Sequence, residues 1–335
     1  MRHRRLKTKL FLGSCLFALA FILSFPSSGT AAGKDMIKIG ITQIVTHPAL
    51  DANRQGFIDQ LEKEGYVEGE NVKYDFRNPE GDMSLAASIA QKFVSENVDL
   101  ILAIATPTAQ ACVNAVKNTD IPVVFGAVTD PVAAGLVDDW DQPGGNVTGV
   151  SDWADVGTQI RLILDIVPEV KKLGIIYNSG ETNSKVQADE ARKVAPDLGI
   201  EKVVEANAAT SANVMGAAQS LMGRVDAIWV PTDNTVVSAF EAVVKVCEDN
   251  GVPVFAADTA TVERGAIGTP GIDYYVLGLE DGKIAARILN GTPPSEIPVK
   301  RVPMTNLHLN PVAAERMGVT IPQSVMDRAT KIIEE

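Results

Sequence analysis

The chain is poor in the residues that build catalytic and metal centres. Of its 335 residues only three are histidine and three cysteine, and aromatic residues make up 5%. Beyond residue 32 the histidines are His47 and His308, far apart in sequence, and no HExxH or other close His or Cys pairing offers a metal site. A GxSxG nucleophile elbow is absent, since GVSDW at Gly149 lacks the second glycine. LGLEDGK, from Leu277, has glycines at the wrong spacing for a P-loop, an Ile after Lys283, and a helical setting. Carboxylates meeting across a cleft remain the one acid/base chemistry that composition leaves open. The expectation is no catalytic residue, no metal and no cofactor.

Basic charge is also scarce, with 30 Lys and Arg against 42 Asp and Glu. Five of the bases (Arg2, Arg4, Arg5, Lys7 and Lys9) precede residue 33, which leaves 25 bases against 42 acids and a formal charge of −17 for the rest. An acidic body repels phosphate backbones, so a nucleic-acid partner is not expected. The one long apolar run, Leu10 to Phe25, is shorter than the ~20 residues a membrane span needs. Placed between that basic start and PSSGTAA, it predicts an export signal over residues 1–32, cleaved near Ala31 or Ala32. Leu12, Gly13, Ser14 and Cys15 resemble a lipobox, but most of the apolar run follows Cys15, so simple cleavage fits better than a lipid anchor there. The mature protein is expected in the periplasm or cell envelope. Cys112 and Cys247 sit in helical stretches with apolar neighbours and read as small buried hydrophobes rather than a disulfide.

What the chain does have is a repeat. VDLILAIATPTA from Val98 and VDAIWVPTDNT from Val225 are each followed by a helical stretch and a second strand, IPVVFGAVTDP from Ile121 and VPVFAADTAT from Val252. Length alone predicts two domains. Strand and helix alternate four times by residue 138, and the cycle restarts after the Gly- and Pro-rich loop or crossing DQPGGNVTGVSDW at Asp141 to Trp153. GTPGIDYY from Gly268 again has turn chemistry, the helix that follows it is assigned back to the first lobe, and PVKRVPMTNLHLN supplies a last crossing before a helical tail from Pro311. The pattern predicts an α/β fold of two doubly wound parallel-sheet lobes, 36–150 plus 274–303 and 151–273 plus 304–335.

In such sheets ligands sit beyond the carboxyl ends of the strands, at helix N-termini. The first repeat copy ends in hydroxyls, Thr106, Thr108 and Thr129, which suit an anion. The second ends in acids, Asp233 and Asp258, which with Asp152 suit an ammonium. Each of these residues alone reads equally well as an N-cap, so the argument rests on their equivalent positions. Together they point to a zwitterion, an α-amino acid. Trp153, Tyr177, Tyr274 and Tyr275, with His47 and Pro48, are the candidates for a side-chain pocket, each also readable as lobe-edge packing.

The motifs HPALD at His47, NPEGD at Asn78, IATPTAQ at Ile104, VTDPVAAGLV at Val128, PGGNVTGVSD at Pro143, NSGETNS at Asn178 and VPTDNTVVSAF at Val230 occur together in this order. As a set the chain resembles the tryptophan/tyrosine type of ABC-transporter substrate-binding proteins. The resemblance implies a type 1 periplasmic binding fold with three interlobe crossings and closure about a hinge. It also implies a carboxylate held at Thr106, Thr108, Ala127 and Thr129, and an amino group at Asp233 and Asp258. Asn178, Asn234 and Trp153 join the expected ligand residues. Asp273, where related sequences tend to have Asn, is an extra acid that would meet a cationic or polar side chain. An aromatic amino acid is the expected ligand and the importer's permease subunits the expected partner, with the protein a monomer. A sensor of the same fold or a periplasmic enzyme are the rival readings.

Overall fold

The structure is a computed structural model and describes residues 36–334; the export signal expected over 1–32, with Cys15, lies outside them. Strand β1 (Ile37–Gln43) leads to α1 (Pro48–Lys63), β2 (Val72–Arg77) to α2 (Met83–Ser95), and β3 (Leu100–Ile104) to α3 (Thr106–Val116). Then come β4 (Val123–Gly126) and β5 (Val147–Ser151), with no helix between them. The second run is α4 (Val156–Ile166), β6 (Lys172–Tyr177), α5 (Thr182–Val194), β7 (Lys202–Asn207), α6 (Val214–Leu221), β8 (Ala227–Val230), α7 (Asn234–Ser238), α8 (Phe240–Asn250) and β9 (Val254–Ala256). It closes with α9 (Ala260–Glu263), β10 (Gly268–Gly271), α10 (Tyr274–Leu289), β11 (Lys300–Arg301), β12 (Asn306–Leu309), α11 (Pro311–Arg316), α12 (Gln323–Met326) and β13 (Lys331–Ile332).

The strands form two parallel sheets with one shared order. The first lobe runs β2-β1-β3-β4-β5-β11 and the second β7-β6-β8-β9. Between β1 and β3, and between β6 and β8, the strand order reverses, which opens a crevice at the strand ends of each lobe. A small third sheet, β10-β12-β13, joins β10 and β12 antiparallel. Apolar residues cover both faces of the first sheet. Ile39, Ile41, Leu102, Phe57 and Leu277 pack on the face of α1 and α10, and Phe93, Ile101, Val123 and Phe125 on the face of α2 and α3. The second lobe has its own core around Trp229, Phe240 and Ile175. Trp229 is fully buried, and its indole N–H donates to Gln159 Oε1 at 3.1 Å.

Several expectations are corrected. Residues 141–153 hold strand β5 as well as a loop. Gly149 gives the segment a turn-like look, but a Cβ there would lie 2.7 Å from the Phe125 ring, so a glycine is what lets β5 lie against β4. The fourth alternation lacks its helix, because 131–135 form turns started by Asp130, whose carboxylate accepts from Val132 N and Ala133 N. GTPG is strand β10, not only a turn, and 300–309 contribute β11 and β12. The tail is two short helices and a strand rather than one helix.

One helix pair is set by glycine. α1 and α10 cross so closely that a Cβ at Gly278 would overlap the Asn53 carbonyl oxygen and sit 2.8 Å from its carbon, and one at Gly282 would sit 2.6 Å from Gln60 Cβ. This explains LGLEDGK, whose glycines are four apart and so share a helix face. The packing fixes the N-termini of α1 and α10, His47 and Tyr274, beside one another at the cleft.

Candidate ligand site between the lobes

A small cavity with about 20 Å³ of space open to water lies between the lobes, lined by residues at the strand ends of both. From the first lobe come His47 and Leu50, at the start of α1, and Ala127 and Thr129, after β4. Asn183, on α5, and Thr232, Asp233, Asn234, Val237 and Asp258 come from the second. Asp152 and Tyr274 stand in the crossing segments after β5 and at the start of α10. At that size it has room for about one water molecule. The hydroxyls of Thr129 and Thr232 share a hydrogen bond of 3.1 Å across the gap, so the lobes are in contact.

The lining is acidic and buried. Asp152, Asp233 and Asp258 are each 3% exposed or less, and no lysine or arginine is among the lining residues described. Burial raises the pKa of Asp152, opposed by the Tyr274 hydroxyl. Burial also takes Asp258 up to about 6, against a hydrogen bond from Ala260 N and the charge of Arg264. Arg264 is itself held by Glu241 Oε1 and Oε2 at 2.6 and 2.7 Å and by the Val237 carbonyl. Asp233 is raised by burial and by the neighbouring Glu181 carboxylate. His47, taken down to about 4 chiefly by burial, is neutral at physiological pH.

Asp152 and Asp233 meet their surroundings differently. Asp233 caps α7, accepting from Val236 N at 2.7 Å and from Asn178 N at 2.6 Å, so both its oxygens serve the backbone. Asp152 takes the Tyr274 hydroxyl on Oδ2 at 2.8 Å, while its buried Oδ1 has no partner in the protein. An unpaired buried carboxylate oxygen costs several kcal/mol unless a cation or donor reaches it. Asp258 accepts from Ala260 N at 2.8 Å.

Eight of the residues singled out from sequence line the cavity: His47, Ala127, Thr129, Asp152, Asp233, Asn234, Asp258 and Tyr274. Others do not. Thr108 bonds the carbonyls of Ile104 and Ala105, at 2.5 and 3.0 Å, as a helix-terminus hydroxyl does. Asn178 donates to Thr235 Oγ1 at 2.9 Å and to the Ala209 carbonyl. Trp153, half-buried, follows the crossing and donates its N–H to Ser151 Oγ. Asp273 caps α10 through Tyr275 N and Val276 N and opens on a surface pocket with Glu263 and Tyr275. Thr106 lies outside the lining, yet its buried hydroxyl has no partner, and α3 has no side-chain cap. Ala105, before it, holds φ 78° and ψ 152°, and Ala127, at the end of β4, φ 53°; such backbone costs ~1–3 kcal/mol each and gathers at functional sites.

Asn183, Thr232, Leu50 and Val237 were missed. His47 and Glu181 are both N-caps four residues past the ends of β1 and β6. Glu181 then anchors that wall. It accepts from the N–H groups of Asn234 and Thr235, the Thr235 hydroxyl, and the amides of Asn234 and Asn183.

Relatives agree with this architecture. A protein from Clostridioides difficile described as a tyrosine-binding protein is 45% identical over 277 residues, 83% of this chain and 79% of that one. A structure from Streptococcus pneumoniae in complex with L-Trp is 38% identical, covering 89% of this chain and all of that one, with a TM-score of 0.85. A ligand-free, open substrate-binding protein from Clostridium difficile is 43% identical over 90% of this chain and all of that one, yet its TM-score is 0.67. The chain that is nearer in sequence is further in shape, which is what lobes closed here and open there produce. Residues 38–333 match the family described as ABC transporter substrate binding protein, and with two lobes closing on one cavity, this chain is a member of that family.

Proposed function

We propose that the protein captures an aromatic L-amino acid between its lobes and delivers it to an ABC importer. The observation that carries this reading is the cavity between the lobes, whose three buried carboxylates have no lysine or arginine beside them in its lining. An α-ammonium supplies the missing cation, meeting Asp152 Oδ1 and Asp258, with Tyr274 holding Asp152 in place. The ligand carboxylate is assigned to the first lobe, near Ala127, Thr129 and the uncapped start of α3. Leu50, Val237 and the Tyr274 ring provide apolar surface for a side chain. The C. difficile and S. pneumoniae relatives, with tyrosine in one name and L-Trp in the other complex, support an aromatic ligand. Charge-assisted hydrogen bonds of ~1.5–3 kcal/mol each, plus a buried ring, reach the ~8 kcal/mol of micromolar affinity.

The rest of the reading follows from that role. The lobes comprise 36–150 with 274–303 and 151–273 with 304–335. The chain is exported by its first 32 residues, works as a monomer in the periplasm or cell envelope, and binds without altering its ligand. Permease subunits recognise the closed form.

Calorimetry with tyrosine, tryptophan and their analogues lacking either the amino or the carboxyl group tests the reading. At least one aromatic amino acid should bind, and its deaminated analogue should bind ~100-fold more weakly or worse. A folded protein that binds no aromatic amino acid, or binds the deaminated analogue equally well, refutes it.

A further inference from the structure

We infer that Asn183 recognises a hydrogen-bond donor on the ligand's ring, a phenol O–H or an indole N–H, and so sets specificity within the aromatic class. This rests on the function proposed above. Asn183 lines the cavity and is 3% exposed. Its amide orientation is fixed by chemistry. Nδ2 donates to the Thr232 carbonyl at 2.6 Å and to Glu181 Oε2 at 3.1 Å, and both of these only accept. A flipped amide would set oxygen against oxygen, so the atom left over is Oδ1, an acceptor. That Oδ1 is buried and has no partner in the protein.

Among the described second-lobe lining residues it is the one with a buried acceptor that has no partner in the protein. Asp233 has both oxygens on backbone N–H groups, and the Thr232 hydroxyl is shared with Thr129. Gln187, one turn along α5, takes Thr232 N on its Oε1 at 2.8 Å and makes no bond to Asn183. The ammonium belongs to a different electrostatic group. Asp152, Asp258 and Tyr274 act on one another, whereas the acid acting on Asp233 is Glu181. One pole of the cavity is thus built for the α-amino group, and the wall of α5 and α7 presents a neutral acceptor. Tyrosine and tryptophan carry a ring donor that satisfies it; phenylalanine leaves it buried and unpaired, and sites of that kind reject the analogue lacking the donor.

The test uses two isosteric pairs on the wild-type protein, tyrosine with phenylalanine and tryptophan with its benzothiophene analogue, in which sulfur replaces the indole N–H. For the pair that binds more tightly, the donor-bearing member should win by about 10-fold or more. In Asn183→Ala the ratio should fall to within about 3-fold, and Asn183→Ser, which keeps a donor for the Thr232 carbonyl, should behave likewise if the alanine variant does not fold. Equal affinity within both pairs on the wild type overturns the inference while the proposed function stands. So does a ratio that survives in a folded variant, or a variant that weakens both members of a pair equally, which would place Asn183 on the amino group. Failure of all four compounds to bind is instead the failure of the function itself.

Discussion

Replacing Gly278 by alanine sets two effects of opposite sign against each other in the α1–α10 pair. In a helix interior Gly→Ala gains about 1 kcal/mol of helix propensity. At Gly278 the new methyl would overlap the Asn53 carbonyl oxygen and lie 2.8 Å from its carbon and 2.9 Å from Phe57 N, all backbone atoms of α1. Ordinary contact begins near 3.4 Å, so the helices must separate by at least about 0.6 Å, and no side-chain rotation can relieve the overlap. Overpacking typically costs ~1–3 kcal/mol and more where rigid backbone opposes it, so the clash should win by ~2 kcal/mol or more. For a unit of this size that lowers the thermal midpoint by about 4 °C or more. The shift should also weaken ligand binding, because His47 and Tyr274 begin these two helices and line the cavity. Gly216→Ala is the internal comparison. It lies on α6 with nothing within 4 Å of its Cβ, so only the propensity gain applies and the midpoint should rise slightly. Differential scanning calorimetry of both variants decides the matter, and a Gly278→Ala protein as stable as wild type would refute the packing argument.

Asp152→Asn should weaken amino-acid binding by ~30-fold or more in calorimetry, since it removes the carboxylate whose Oδ1 is unpaired, while the ligand-free thermal midpoint holds or rises because burial already disfavours that charge. Affinity should rise with pH through about 6 and then level off, because the ammonium must displace the proton that burial keeps on Asp258, and Asp258→Asn should abolish that rise. The same shift acts oppositely on the ligand-free fold: an acid whose folded pKa is raised from 3.8 to about 6 stabilises below 3.8 and loses that contribution as pH climbs through 6, so Asp258→Asn should flatten the decline. Cys112 and Cys247, free, fully buried and pushed up to about 12 by burial, should resist a thiol reagent until the protein unfolds.

The alternation of strand and helix carried the fold because each parallel strand is an unbroken apolar run; LILAI and AIWV are buried at every position. What stayed illegible were strands whose burial depends on glycine or proline, VTGVS and GTPG, where turn-forming composition hides a close sheet contact. The same holds for the site. Acids at strand ends could be named from the repeat, since a strand end is a position in sequence. Which of their oxygens the backbone already occupies could not, and that separates Asp233 and Asp273, which cap helices, from Asp152, with an oxygen to spare. Asn183 was hidden for a related reason. An asparagine two residues past an N-cap is ordinary, and only the fixing of its amide by Glu181 and Thr232 turns it into a dedicated acceptor.

The same accounting of charge makes lobe closure depend on ligand. With the lobes in contact, Asp152, Asp233 and Asp258 are 3% exposed or less, and each has a raised pKa, which is the signature of carboxylates penalised by lost solvation. Against that penalty the protein sets little that spans the cleft near the cavity beyond the Thr129–Thr232 hydrogen bond, a contribution of ~1 kcal/mol. An ammonium reverses the balance by turning the buried carboxylates into partners. A ligand shifts a two-state equilibrium by its differential affinity for the two states, and a cation enclosed by acids has a large one. Without ligand the protein should therefore populate an open form, as the ligand-free C. difficile relative does, and small-angle scattering should record a fall in radius of gyration on saturation with amino acid. Thr232→Val, which removes only the bridging hydroxyl, should weaken affinity by roughly 5-fold and leave that fall intact. A radius that does not change on saturation would mean that the closed state is stable by itself, and the argument from buried charge would be wrong.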